Sequence, residues 1–291
     1  MNTNAPFGPV VNGTQIIFYE YRPSKSAAIS FIVLFACATL GHLIYLFRLR
    51  AWFFIPLILG GVGEAFGYYG RSWSSNNPDN AAPFILQNLL LLASPPFLAA
   101  AIYMSYGRII IGIRAQKYAF ISPRWMTKIY VLIDIGCVVS QVMGSVLPAS
   151  GEQSSIELSK KILLGGLITQ VIALGFFILT CWHAHGQIKR NPTDGILSDP
   201  SISWQNHFRV LELVTLILIV RSVVRTIEYL QGVNGFVASH ELFIYLFDAF
   251  LIWLIMVAFL ILHPGRLVRD VRRQTKYDLS AEDKGYAPIQ Q

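Results

Sequence analysis

Charge is scarce in this sequence. Asp, Glu, Lys and Arg make up only 13% of its 291 residues, against about 25% in an ordinary soluble domain. Apolar residues reach 54%, and several runs of about 20 residues are almost free of charge, which excludes a soluble enzyme, a disordered regulator and a secreted scaffold. Cysteine is scarce too. Cys37, Cys137 and Cys181 all lie inside apolar runs and read as small buried hydrophobes, not as a disulfide framework or metal cluster. The first 25 residues lack a basic start followed by a short apolar core, so no cleavable signal peptide is expected. Also missing are a Gly-Lys-Ser/Thr phosphate loop, a nucleophile elbow, a zinc motif and a carboxylate-rich metal box. No enzymatic activity, cofactor or metal is therefore expected. The net charge of +7 does not form a patch suited to nucleic acid, because the basic residues lie between the apolar runs.

What is present is a set of membrane spans. Seven candidates are Ser26–Phe47, Trp52–Tyr69, Ala82–Tyr106, Ile129–Pro148, Ile162–Trp182, Val210–Tyr229 and Glu241–Leu262. As helices rising ~1.5 Å per residue, each can cross a ~30 Å hydrocarbon core. The second is the shortest and the sixth the most charged. Sixteen of the 23 Lys and Arg follow the odd spans or lie in the tail, and five lie in the other connections. The positive-inside rule then puts the N-terminus outside and the tail in the cytoplasm. The expected fold is all-α, a polytopic membrane protein built as a seven-transmembrane-helix bundle. An extracellular segment (1–25) precedes the membrane domain (26–262), and a basic juxtamembrane segment with a disordered tail (263–291) follows it. Asn12 lies in a glycosylation sequon, Asn12-Gly13-Thr14, on the expected outer side. The connection from His183 to Arg209 reads as a solvated loop. Residues 265–273 read as a short amphipathic helix on the inner leaflet or as an ordinary basic flank.

Charges within the spans carry the functional signal, because each needs a partner or water. In the second span Gly60, Gly63, Glu64, Gly67 and Arg71 share one face, a carboxylate amid nearly bare backbone. Asp134, Gln141 and Ser145 form a stripe in the fourth. Arg221, Arg225 and Glu228 share a face in the sixth, and Glu241, Tyr245 and Asp248 share one in the seventh. Counted from the outer ends, Glu64, Arg221, Arg225, Glu228 and Asp248 fall in the outer half. Arg71 and Glu241 fall near the outer interface, and Asp134 lies deeper. The sixth span decides that these groups are paired. The thirteen Leu, Ile and Val between Val210 and Leu230 contribute roughly 4 to 8 kcal/mol to insertion, while Arg221, Arg225 and Glu228 at full central cost oppose it with about 7 to 10 kcal/mol. Its charged face must therefore turn inward, towards Asp248 and Glu64, with Asp248 pairing with one of the arginines. Two accounts fit: a structural ion-pair network, or a polar cavity open to the outer leaflet that receives a charged head group. His42 reads as a hydrogen-bonded packing residue.

The order of motifs is itself informative. Tyr21 and Pro23 precede the first span, and His42 lies near its end. Glu64 is followed by Gly67-Tyr68 and Arg71, and Pro95-Pro96 by Ala99-Ala100, Tyr103 and Gly107-Arg108. Then come Asp134, Gln141 and Gly144; Gly166 and Gln170; Arg221, Arg225, Glu228, Gly232 and Gly235; Glu241, Tyr245 and Asp248; and His263-Pro264. This set, spanning roughly residues 19 to 265, resembles the fungal lipid-translocating exporter family named for resistance to aminocholesterol. The resemblance implies a heptahelical protein, usually of the plasma membrane. It is associated with sphingoid-base release, lipid asymmetry, resistance to sterol analogues and drugs, and in one branch tetrapyrrole transport.

The expected activity is therefore translocation of an amphipathic lipid: a sphingoid base, a phospholipid or a sterol-like molecule. The expected partners are membrane lipids and that amphiphile, with no nucleic acid. The candidate polar residues are Glu64, Arg71, Asp134, Gln141, Gln170, Arg221, Arg225, Glu228, Glu241, Tyr245 and Asp248. The alternative is a heptahelical sensor or regulator that controls lipid export indirectly. Its topology fits, but the third span ends in Gly107-Arg108 without the Asp-Arg-Tyr signal of receptors, and no Asn-Pro-x-x-Tyr closes the seventh.

Overall fold

A computed structural model describes residues 6–11, 14–15, 17–146, 153–193, 196, 203–232 and 235–270. The long elements are helices: α1 (Lys25–Leu49), α2 (Ile55–Ser74), α3 (Ala81–Gly112), α4 (Pro123–Val146), α5 (Gln153–Arg190) and α6 (Trp204–Gln231). The last, α7, starts as an α-helix at Glu241–Phe243, widens into a π-helix at Ile244–Phe250 and resumes as an α-helix at Leu251–Ile261. The strands of the described residues are the short antiparallel pair β1 (Val10–Val11) and β2 (Thr14–Gln15). Five helices are long and apolar enough to cross a membrane, namely Lys25–Leu49, Ala81–Gly112, Pro123–Gly144, Glu157–Arg190 and Glu241–Asp270. The sequence-based set was seven. The two that fall short are α2 and α6, the helices that carry Glu64, Arg71, Arg221, Arg225 and Glu228.

Local chemistry explains where several helices begin and end. The Ser24 side chain accepts from the Ala27 amide at the start of α1, and Asn80 accepts from the Ala82 amide at the start of α3, the usual N-cap arrangement. Arg50 ends α1 in the left-handed region, φ 50°, and its amide returns to the Leu46 carbonyl. Pro123 opens α4, where its missing N–H costs nothing. That places the start of α4 six residues before the expected Ile129.

Sequence neighbours pack side by side from α1 to α6, and α7 returns against both α6 and α1. The closest seam is α2 on α3. A Cβ added to Gly60 would stand 3.1 Å from the Ser94 carbonyl, and one on Gly70 would stand 3.0 Å from the Gln87 backbone nitrogen. These glycines let the two backbones approach as small-residue seams do in membranes.

The distribution of polarity is inverted relative to a soluble protein. Leu40, Phe47, Leu132, Ile135, Ile172, Phe176 and Leu179 are exposed on outer helix faces, whereas Glu64, Arg71, Arg221, Arg225 and Asp248 are buried. Lipid is the solvent in which both placements are favourable. This is an integral membrane protein.

Several expectations need correction. Helix α5 continues to Arg190 and α6 starts at Trp204, so the solvated loop expected from His183 to Arg209 is largely helical among the described residues. The reason is that amphipathic faces can continue past the hydrocarbon into the interface, where charge no longer opposes the helix. Cys37 is exposed on the outer face of α1, while Cys137 and Cys181 are buried and all three are unbridged. A thiol is apolar enough to face lipid. Residues 264–270 are helical after the last span, with Leu267 buried and Arg266 lying over the Tyr45 ring. Asn12 and the tail from 271 onward lie outside the described residues.

Candidate functional site

The candidate residues separate into three groups. The first is built on α6 and α7. Arg221 Nε donates to Asp248 Oδ1 at 2.7 Å, and Arg225 Nη2 donates to Asp248 Oδ2 at 3.1 Å. Arg225 also holds Glu228 through Nη1, at 2.9 and 3.2 Å. The expectation of one arginine partner for Asp248 is thus corrected to two. The Tyr68 hydroxyl from α2 approaches Asp248 Oδ2 and the Ile244 carbonyl, both at 3.5 Å.

One contact of this group has its cause in the proline pair of α3. Arg221 Nη2 donates to the Leu91 carbonyl at 2.8 Å. Leu91 is four residues before Pro95, which lies inside α3 and has no N–H to return to that carbonyl. The Pro95-Pro96 pair therefore frees an acceptor in the middle of a membrane helix, and Arg221 occupies it. Asp248 similarly lies in the π-helical segment of α7, a local widening found mostly at functional sites.

Glu64 stands against this group from α2 but does not join it. It is 0% exposed, and neither carboxylate oxygen has a hydrogen-bond partner. Its charge interacts at longer range with Asp248, Arg221 and Arg225. The arginines of α6 face both acids, and Asp248 takes the hydrogen bonds of both.

The second group closes the end of the bundle at which α1 begins. Arg71 donates to Glu241 at 2.9 Å, to the Tyr245 hydroxyl at 3.0 Å and to the Tyr21 hydroxyl at 3.1 Å. Its guanidinium lies 5.2 to 6.0 Å from the ring centres of Tyr245, Tyr21 and Tyr19, within cation–π range. Glu241 also accepts from the Ser24 amide at 2.7 Å, and Tyr245 donates to the Ser24 carbonyl. The N-terminal segment is thereby bound across α2 and α3. Tyr19 donates towards Ser74 and Gln87, Arg22 donates to the Ser75 carbonyl, and Phe18 stacks on Phe84. Burial pushes the Tyr19 phenol above its ordinary range, so it remains a donor throughout physiological pH. The Tyr19 hydroxyl bonds carry no periodic signal, since they join residues more than 50 apart in sequence.

The third group lies away from both. Gln141 of α4 donates to Gln170 of α5 at 3.2 Å. Asp134 is buried beside the Tyr103 hydroxyl without a hydrogen bond of regular geometry. The two helices meet there through glycine, and a Cβ on Gly166 would stand 3.2 Å from the Cys137 carbonyl. His42 Nε2 donates to the Met256 carbonyl at 3.0 Å and lies against Phe54 and His263, a packing role.

Of the two accounts, an open polar cavity around these charges is not formed among the described residues. Arg71 and Arg221 are 1% exposed and Asp248 is 2% exposed. Dense packing on the α2 glycine face and the bound N-terminal segment exclude solvent from the charges. Among the described residues no group of His, Cys, Asp and Glu is arranged to hold a metal ion.

Comparison with known proteins places this arrangement in a family. Residues 57–270 match the family described as RTA1 like protein. The chain belongs to the fungal RTA1-like family. Relatives in Saccharomyces cerevisiae include Protoporphyrin uptake protein 1, 33% identical over 278 residues covering 84% of this chain and 90% of that protein. Protein RTA1 is 29% identical over 84% of each chain. The Sphingoid long-chain base transporter RSB1 is 23% identical over 91% of this chain and 75% of its own. No solved structure matches. In this RTA1-like protein the family region contains the charged residues of all three polar groups, while Tyr19 and Tyr21, two of the three tyrosines around Arg71, precede it in the chain.

Proposed function

We propose that this RTA1-like protein translocates an amphipathic lipid with a charged head group across the plasma membrane, without transforming it chemically. All seven helices cross the bilayer in this reading, with the N-terminus outside and the tail in the cytoplasm. The observation that carries it is Glu64, a fully buried carboxylate with both oxygens unpartnered beside the Asp248–arginine group. A buried polar group without a partner calls for an explanation, and a head group bound there during transport supplies one. An amine suits a carboxylate, which favours a sphingoid base or another amino lipid over a sterol-like substrate. The head group would enter at Glu64, with Asp248, Arg221 and Arg225 shaping the field around it, while the hydrocarbon chain stays in lipid. The name of the sphingoid-base transporter relative supports the same substrate class.

Liposomes test the activity. Purified protein is expected to accelerate redistribution of a labelled sphingoid base between leaflets. Rates equal to those of protein-free vesicles, with folding verified, would remove transport by this chain alone and leave the sensor or regulator reading. Orientation is tested separately. Asn12 is expected to be glycosylated or labelled from outside in intact cells, and a tag on the tail protected. Reversal of both would overturn the assignment of sides.

A further inference from the structure

A second polar site lies where α5 and α6 project beyond the hydrocarbon. Helix α5 runs two turns past Trp182, ~12 Å, and presents Trp182, His185, Gly186 and Lys189 at i, i+3, i+4 and i+7, a single helix face. Opposite it, α6 presents Gln205, Arg209 and Glu212 at i, i+4 and i+7. The two faces enclose a pocket of about 370 Å³, within the ~300–1,000 Å³ typical of small-molecule sites.

The charges of the pocket are not balanced internally. Glu212 is occupied by His185 at 2.7 Å, and His185 is held between Phe208 and Trp204. Lys189 and Arg209 have no acidic partner within salt-bridge distance among the described residues. Gly186 lies in the α5 face with nothing within 4 Å of an added Cβ, so the floor is left open where any larger residue would fill it. Lys189 and Arg209, with the Gln205 amide and the Trp182 indole, supply donors suited to a phosphate. The lipid-facing surface continues from the same two faces as exposed Leu179 on α5 and exposed Leu213 and Leu216 on α6, an apolar track directly below the cations.

We propose that this pocket binds the phosphate head group of an anionic phospholipid of the cytoplasmic leaflet, with its acyl chains lying along the α5–α6 surface. Basic pockets between membrane helices on the cytoplasmic side bind such head groups. The site is separate from the Glu64 group and does not depend on the translocated substrate. Its place on the cytoplasmic side rests on the orientation given above.

Binding to the purified full-length chain in detergent tests it, by native mass spectrometry and thermal shift with phosphatidylserine, phosphatidylcholine and inorganic phosphate. Phosphatidylserine is expected to be retained and to raise the melting temperature, with phosphatidylcholine and free phosphate having little effect. Lys189→Gln with Arg209→Gln is expected to weaken retention about 30-fold, at about fivefold per basic residue, without lowering the melting temperature of the lipid-free protein. Gly186→Leu fills the pocket at unchanged charge and is expected to weaken it as well. Equal binding of phosphatidylcholine overturns the proposal, and so does free phosphate that binds as tightly as lipid. Retention of phosphatidylserine by folded Gly186→Leu at wild-type strength also overturns it, since diffuse surface charge would then suffice. The three-ligand comparison on the unmodified chain decides the matter if a variant does not fold.

Discussion

Asp248→Ala is expected to lower stability by ~3–5 kcal/mol, the cost of breaking a buried ion pair from one side. The loss falls unequally on the two arginines. Arg225 retains Glu228, whereas Arg221 is left with the Leu91 carbonyl alone. Arg221 is 1% exposed, so its charge has no route to water. Combining Asp248→Ala with Arg221→Met is expected to restore most of the loss, because a flexible apolar chain replaces the stranded cation. Restoration is incomplete, since the carbonyl freed by Pro95 loses its donor. Combining Asp248→Ala with Arg225→Met is expected to restore less. Thermal unfolding in detergent of the singles and doubles forms a double-mutant cycle. A stable Asp248→Ala would remove the pair as a determinant of the fold.

The second large effect is on transport, with stability nearly unchanged. Glu64→Gln keeps the shape of the side chain and removes its capacity to ionise when an amine arrives. Because Glu64 has no hydrogen-bond partner to lose, its stability is expected to stay within about 1 kcal/mol of the parent. Redistribution of a labelled sphingoid base in liposomes is expected to fall at least about tenfold, in line with the ~1.4 kcal/mol that a tenfold change represents. Folded Glu64→Gln that transports at the parent rate removes Glu64 as the head-group acceptor while leaving transport intact. That outcome is distinct from an inactive parent protein, which removes transport itself.

The two helices hardest to read by hydropathy are the ones that hold the site. Helix α2 is weakened as an apolar run by Glu64, Arg71 and its glycines, and α6 by Arg221, Arg225 and Glu228, so neither passes as a span on apolarity alone. In the proposed seven-span reading, partners from α3, α7 and the N-terminal segment offset the cost of inserting them. Pro95-Pro96 was visible in the sequence, and so was Arg221. Their connection through the Leu91 carbonyl lies 130 residues apart in the chain and has no local signature.

The sequence by itself determined the properties that depend on near neighbours. These are the apolar runs, the membrane as solvent, the inward faces that bear Arg221 with Arg225 and Glu241 with Tyr245, and the glycine face of α2. Periodicity over 3.6 residues states which side chains share a face, and transfer free energy states that such faces turn away from lipid. Only the tertiary structure decided which charge meets which. Asp248 was expected to hold one arginine and holds two. Glu64 faces this group without a hydrogen bond to it, Arg71 forms a separate closed group with Glu241 and three tyrosines, and Asp134 stands apart beside Tyr103. These outcomes depend on helix rotation, on the depth at which α2 meets α3, and on a π turn that redirects Asp248 within its own helix. Each is set by packing between segments far apart in the chain, and the spacing of residues along one helix does not encode it.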